Sequence, residues 1–234
     1  MNDIVYFLRE GENPELIYSL RSVVKNFPYR KIWFYGGKPK GIEPDEYVYV
    51  NQWKNKWGNV QMMVKEACKN EKITPDFYIF NDDFFVTQKI TKFENMYDGD
   101  MLRRIFRLEM KHGYNGSEYI QKLRLMVTEL LRYNPYIELK NYAIHTPFLV
   151  NKAKMLDTLE KFPNIIMYRA LYGNVNNIGG VEYHDRKYHK SDCNKLAYPY
   201  ISTSDYSFKK LNVGKLIRET FTEPSKYERK INVN

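Results

Sequence analysis

Cysteine is nearly absent. Cys68 and Cys193 are the only two in 234 residues, too few and too far apart for a disulfide framework or a zinc cluster, so a reducing cytoplasm is the expected setting. Long hydrophobic runs are missing as well: no stretch approaches the roughly 18–20 apolar residues of a spanning helix. The opening Met1-Asn2-Asp3 lacks a basic region, and the apolar run from Ile4 to Leu8 is too short for a signal peptide, so no export signal is expected. Neither an internal repeat nor a low-complexity linker occurs. Acidic residues are the minority charge, 28 against 37 Lys and Arg, which leaves a net +9. That excess favours anionic partners, whether nucleotides, phosphorylated sugars, nucleic acid or an acidic membrane, without choosing among them.

What is present reads as a soluble globular chain. Hydrophobic residues at 43% and charged ones at 28% exclude disorder, collagen-like repeats and coiled coil. The length fits one large domain or two small ones around a shared core. Tyrosine stands out with 21 copies, a side chain that buries its ring while keeping a polar handle.

The first 90 residues alternate β-branched and aromatic runs with amphipathic segments, which predicts an α/β fold with a central sheet and helical layers. Strands are expected at Asp3 to Leu8, Lys31 to Tyr35, Tyr47 to Val50 and Asp76 to Phe80. A helix is expected from Pro14, with Ile17, Leu20, Val24 and Phe27 as its apolar stripe. A second is expected from an Asn59 cap, with Val60, Met63, Val64, Ala67 and Cys68 inward. The remainder is more helical: Ser117 to Tyr133 and Asn151 to Phe162 carry clear helical periodicity, and Val213 to Phe221 closes the series. Tyr142 to Val150 and Tyr198 to Ser202 read as extended. The whole reads as one domain over residues 1–221 with a helical insertion, followed by a tail over 222–234.

One triplet concentrates the chemistry. The strand ending at Phe80 runs directly into Asn81-Asp82-Asp83, and Phe84-Phe85-Val86 follows. In open α/β sheets ligands bind outside the carboxyl ends of the strands, where an acidic pair offers hard oxygen ligands to a divalent cation. Asn-Asp-Asp is also ordinary turn chemistry. Apolar flanks on both sides favour the first reading, because carboxylates held near a core require a compensating cation. Asp82 and Asp83 are therefore the candidate metal ligands, with Mg²⁺ or Mn²⁺ as the ion.

The same segments resemble the Stealth family. Glu15-Leu16-Ile17-Tyr18-Ser19-Leu20-Arg21-Ser22, then Lys31-Ile32 and a Gly-Gly-Lys-Pro loop, are similar to that family's second signature block, as is Phe80-Asn81-Asp82-Asp83-Phe84-Phe85. Asp3-Ile4-Val5-Tyr6 resembles the first block, whose acidic residue has no counterpart here beyond Glu10. His145-Thr146-Pro147, Phe162-Pro163 and Tyr168-Arg169 are similar to the third. The resemblance implies a GT-A-like nucleotide-sugar-transferase fold, with residues 1–90 as the nucleotide-sugar-binding half and 91–221 as the acceptor side. It implies transfer of a sugar or sugar phosphate from a nucleotide-activated donor to an anionic or carbohydrate acceptor, with a cation stabilising the departing phosphate. The site it implies has Asp83 and His145 as catalytic residues, and Arg21, Arg169, Asn81 and Gly37 in contact with substrate.

Each has a plainer reading beside it. His145 is a general acid/base or phosphate-binding group, or a satisfied structural histidine. Arg21 and Arg169 are bidentate phosphate ligands or ordinary charged side chains. Gly36, Gly37 and Gly41 admit a nucleotide to the backbone or form a turn; their spacing matches no phosphate-cradling motif. His184-Asp185 and His189 with Asp192 have metal-ligand residue types in a non-diagnostic spacing. Arg103, Arg104, Arg107 and Lys111, with Lys187, Lys190, Lys209 and Lys210 further on, form either wet helix faces or contacts to an anionic acceptor or nucleic acid. Two rival functions follow: a glycosyltransferase acting on a modified DNA base, and a non-catalytic nucleic-acid-binding module in which Tyr and Arg stack on bases.

Overall fold

The computed structural model describes residues 1–114 and 116–229. Its elements run β1 (Asp3–Leu8), α1 (Pro14–Asn26), β2 (Ile32–Gly36), β3 (Glu46–Tyr49), α2 (Lys56–Lys69), β4 (Asp76–Phe80), β5 (Phe84–Val86), β6 (Met96–Tyr97), α3 (Met101–His112) and α4 (Glu118–Tyr133). They continue with β7 (Phe148–Asn151), α5 (Lys152–Lys161), α6 (Tyr168–Val175), β8 (Val181–Glu182), β9 (Lys187–Tyr188), β10 (Tyr200–Thr203), α7 (Asp205–Lys210) and α8 (Asn212–Thr220).

The unbroken apolar runs of β1, β2 and β4 have one physical explanation: both faces of their sheet are covered. The side-chain period of two sends Val5, Phe7, Trp33, Tyr35, Phe77 and Ile79 into a core shared with α2, α4, α5 and α6. The alternate residues Ile4, Tyr6, Leu8, Ile32, Phe34, Tyr78 and Phe80 enter a second core, closed by α1 and β5. The strand order is β3-β2-β1-β4-β7. The first four strands are parallel, and β7 pairs antiparallel with β4, Ile79 opposite Phe148. The central mixed sheet of the α/β expectation is therefore present. Successive strands step outward from β1 toward β3 on one side and β4 on the other, so the chain leaves β1 and β4 in different directions and opens a crevice at their carboxyl ends. A smaller sheet, β5-β10-β9, stands beside it.

Local signals placed most helices correctly. Ser117 caps α4, its hydroxyl accepting from the Ile120 amide, and Asn151 caps α5. Two details differ. The buried face of α1 is Leu16, Leu20 and Val23, one residue off the Ile17, Leu20, Val24 stripe, and Val24 is exposed. Both registers are apolar, and only the packing partners choose between them. Helix α2 starts at Lys56 with Asn55 as the cap, its side chain accepting from the Gly58 amide at 2.9 Å. Asn59 instead ties the preceding loop, exchanging two 2.8 Å hydrogen bonds with the Lys54 backbone.

The tail expectation also requires correction over the described part of its range. Residues 222–229 pack back on the body: Tyr227 is buried and donates to Asp45 at 2.7 Å, and Glu228 forms a β-bridge with Ile42. This short segment has no periodicity to announce its packing. Residues 230–234 lie outside the described residues. Among the described residues no helix is long and apolar enough to cross a membrane.

Candidate active site

A cleft of about 670 Å³ opens at the carboxyl ends of the parallel strands, lined among others by Arg9 after β1, Gln52 after β3 and Asn81, Asp82 and Asp83 after β4. The acidic triplet is pinned because β4 belongs to the central sheet while β5 pairs with β10 of the smaller one. The tight turn between them closes on a hydrogen bond from the Phe84 amide to the Asn81 carbonyl. Phe80 and Phe84 are both buried, which anchors the triplet on either side.

The cleft holds more negative charge than the triplet alone. Glu15, in the first turn of α1, is buried and accepts from the Thr203 hydroxyl at 2.6 Å. Burial, with Asp83 and Asp82 nearby, pushes its carboxyl up to about 7. Burial also pushes Asp82 up, with the Asp83 charge adding to it, to about 6. Lys187, at the start of β9, binds one oxygen of Asp83 and donates to the Ser202 hydroxyl at 3.0 Å. The other oxygen, Asp83 Oδ1, is buried without any hydrogen-bond partner. Burying an anion with half of its acceptors unused is costly. Three carboxylates converge here against one buried ammonium, with the Arg9 guanidinium on the rim near Asp205.

His145 lines the same cleft. Asp185 holds it twice, accepting from its backbone amide at 3.1 Å and meeting Nδ1 at 2.9 Å. Burial works to raise the Asp185 carboxyl, but the hydrogen bonds and charge of His145 outweigh it and hold the group below the usual carboxylate range. An ionised Asp185 fixes the proton on Nδ1 and leaves Nε2 as the ring nitrogen free for chemistry. His189 stands edge-on to it with ring centroids 6.3 Å apart, and its pKa is lowered by burial and by Lys187.

Of the sequence-derived candidates, Asn81, Asp82, Asp83 and His145 meet in this cleft, while three others do not. Arg21 points the other way: its guanidinium is bidentate to Glu228 at 2.9 and 2.6 Å and donates to the Phe221 and Thr222 carbonyls. It is a staple for the carboxyl-terminal segment: four of its five N–H donors are taken, which leaves no bidentate fork for phosphate. Arg21→Ala is accordingly expected to cost about 2 kcal/mol of stability, because Glu228 loses its charged partner. Donor binding should be unchanged; a thermal melt paired with ligand titration checks both.

Arg169 is buried, with its guanidinium 4.7 Å from the Phe148 ring centroid and Nη2 donating to the Thr146 carbonyl at 2.7 Å. It supports the segment carrying His145 from behind and does not open on the cleft. Gly37 is buried as well: a Cβ there would stand 2.4 Å from the Arg9 carbonyl. Its missing side chain lets the chain after β2 pass close to the chain after β1, so the turn reading holds.

Sequence reasoning assigned no role to Arg9 or to Glu15 itself, read Asp185 and His189 as metal-type residues or a polar loop, and grouped Lys187 with the basic residues of a wet face or an anionic-acceptor contact. Glu15 sat inside a block singled out for other reasons. Nothing local marks Lys187, which lies 104 positions from Asp83. The metal-type residues at 184–192 divide among separate tasks: His184 meets Asp98, Asp185 holds His145, and Asp192 accepts the first amides of α8. Among the described residues no three His, Cys, Asp or Glu side chains form a coordination set.

No protein-family model matches the sequence, and no curated protein does, so the Stealth resemblance rests on the short blocks alone. Among solved structures the chain is similar to galactosyltransferase LgtC in complex with donor and acceptor sugar analogs, at 13% identity and a TM-score of 0.43, over 80% of this chain and 76% of that one. It is also similar to an active-site mutant of LgtC, at 13% identity and a TM-score of 0.44, over 86% of each chain.

Proposed function

We propose that the protein is a cation-dependent transferase that moves a sugar or sugar phosphate from a nucleotide-activated donor, with a site akin to those of GT-A-like and Stealth enzymes. One observation carries the reading: a strand-terminal acidic pair with a buried, unpartnered carboxylate oxygen shares a cleft with Lys187, Arg9 and an Asp185-oriented histidine. Such a pair fits a divalent cation, since Asp82 and Asp83 present hard oxygens, one of them buried without a partner, and the single buried ammonium of Lys187 offsets only part of the carboxylate charge gathered there. Asp82 and Asp83 would hold Mg²⁺ or Mn²⁺; when bound, the ion supplies Lewis-acid stabilisation of charge on the departing phosphate.

The remaining roles belong to the chain itself. Lys187 and Arg9 place fixed positive charge where a donor diphosphate brings negative charge. Asn81 contributes an amide to donor orientation. His145 Nε2 accepts the acceptor hydroxyl's proton, and the resulting imidazolium is stabilised by ionised Asp185 across the 2.9 Å contact. The acceptor is a carbohydrate or another hydroxyl compound. None of the basic residues at 103–111 on α3 or at 209–210 on α7 lines the cleft, so they give no reason to prefer a nucleic acid acceptor.

Thermal melts against a panel of sugar nucleotides, each with and without Mn²⁺, test the proposal. A donor at about a hundredfold its Kd adds about 2.7 kcal/mol of native-state stability. In a chain of this size that is a rise of roughly 5–10 °C, and it should require Mn²⁺. A flat panel under both conditions would sink the reading.

A further inference from the structure

Helix α3 carries an outer face that neither the core nor the cleft uses. It anchors itself through Met101 and Ile105, both buried. On its solvent-facing flank Leu102, Phe106 and Met110 follow one another at intervals of four residues, 50%, 61% and 73% exposed. At that spacing they form a single ridge one turn apart. Arg103, Arg107 and Lys111, all exposed, form a parallel ridge next to it. The helix has one acidic residue, Glu109, and it is turned toward α4, where Arg124 pairs with it. The outward half therefore consists of long apolar side chains and positive charge alone. Tyr114, 69% exposed, extends the apolar surface past the helix end.

We infer that α3 is an interfacial helix that lies on an anionic lipid surface and holds the His145 rim of the cleft against it. The chemistry selects this occupant. An apolar ridge sinks into the boundary between headgroups and acyl chains while a flanking Lys/Arg ridge meets lipid phosphates, the two contributions that bind in-plane amphipathic helices. A second copy of the same face would set Arg103, Arg107 and Lys111 against themselves. A nucleic acid backbone would satisfy the basic ridge and leave the apolar one in water. The helix is also tied to the cleft: Arg104 lies near enough to Asp185 to help hold its charge, and Asp98, just before α3, accepts from the Asp185 amide at 3.3 Å.

Co-sedimentation of the full chain with vesicles tests this, and needs no turnover, so it stands or falls apart from the transferase reading. The protein should pellet with phosphatidylcholine vesicles containing phosphatidylglycerol, not with phosphatidylcholine alone, and raised salt should release it. Arg103→Ala with Arg107→Ala should weaken partition roughly tenfold or more, and Phe106→Ser with Met110→Ser should do the same while leaving the thermal midpoint in place, since all four side chains are exposed. Equal pelleting with both vesicle types, pelleting with neither, or variants that bind like the parent would overturn the inference. So would a lipid-independent dimer on gel filtration that Phe106→Ser abolishes, which would give the ridge to a second copy.

Discussion

Asp82→Asn is expected to lower kcat/KM by on the order of a thousandfold or more, the scale seen when a charge-stabilising group is removed from a transition state, while the protein stays folded. The split between activity and stability is what makes the variant informative. Asp82 is crowded: burial and the Asp83 charge both push its carboxyl up, to about 6. A neutral amide in its place relieves that repulsion, so above pH 6 the thermal midpoint should hold or rise. Asp83→Asn should lose as much activity but behave differently in a melt, because Lys187 would be left buried without its counter-ion. Steady-state kinetics with the donor found by the melt panel, calorimetric titration of Mn²⁺ and a thermal melt of each variant give the three readouts. Undiminished turnover in both variants would refute the assignment of the acidic pair.

The largest stability effect is expected at the other end of the sheet. Asp3 opens β1 fully buried and gathers donors from three segments: Arg30 Nε and Nη2 at 2.7 and 2.6 Å, Trp33 Nε1 at 3.1 Å and the Thr74 amide at 3.1 Å. Asp3→Ala strands a guanidinium, an indole N–H and a backbone N–H together. The guanidinium is 43% exposed and can turn to water, so the cost comes mainly from the two unpaired N–H groups, about 2–4 kcal/mol, or roughly 5–15 °C in a chain of this length. Turnover per folded molecule should persist, because Asp3 sits five residues of strand, about 17 Å, from the cleft end of β1.

The pH dependence follows with its sign. Burial works to raise the Asp3 carboxyl, and the hydrogen bonds and charge of Arg30 with the Thr74 amide outweigh it, so the folded value lies below 3.8. The stability it supplies is complete above 3.8 and is lost as pH falls through the lowered folded value. Asp3→Asn should flatten that acid limb, which denaturant melts between neutral pH and the acid range would reveal. A variant as stable as the parent would show that the network is not holding the sheet.

Asp3 also shows how the sequence blocks are to be read. Asp3-Ile4-Val5-Tyr6 and Glu15 to Ser22 resemble signature segments, and part of what they encode here is architecture: Asp3 ties three segments at the amino ends, and Arg21 staples residues 221–228. Glu15 alone reaches the cleft. A motif fixes which residues occur together; which way each side chain faces depends on the turn of helix or strand that carries it. The one-residue error in the α1 stripe has the same origin, since Ile17 and Val24 are as apolar as Leu16 and Val23 and the difference lies in what packs against them.

The sequence by itself determined the strands of the central sheet, because burial on both faces leaves unbroken apolar runs, and it determined the place of Asn81-Asp82-Asp83 at the end of one of them. It determined α4 and α5 through periodicity and capping side chains that act within a few residues. Only the tertiary structure decided which polar groups meet: Glu15 with the Thr203 hydroxyl across 188 positions, Asp83 with Lys187 across 104, His145 with Asp185 across 40 and Arg21 with Glu228 across 207. Periodicity reports which face of an element is buried, a local property, whereas an ion pair depends on where two distant segments are carried by the packing of everything between them.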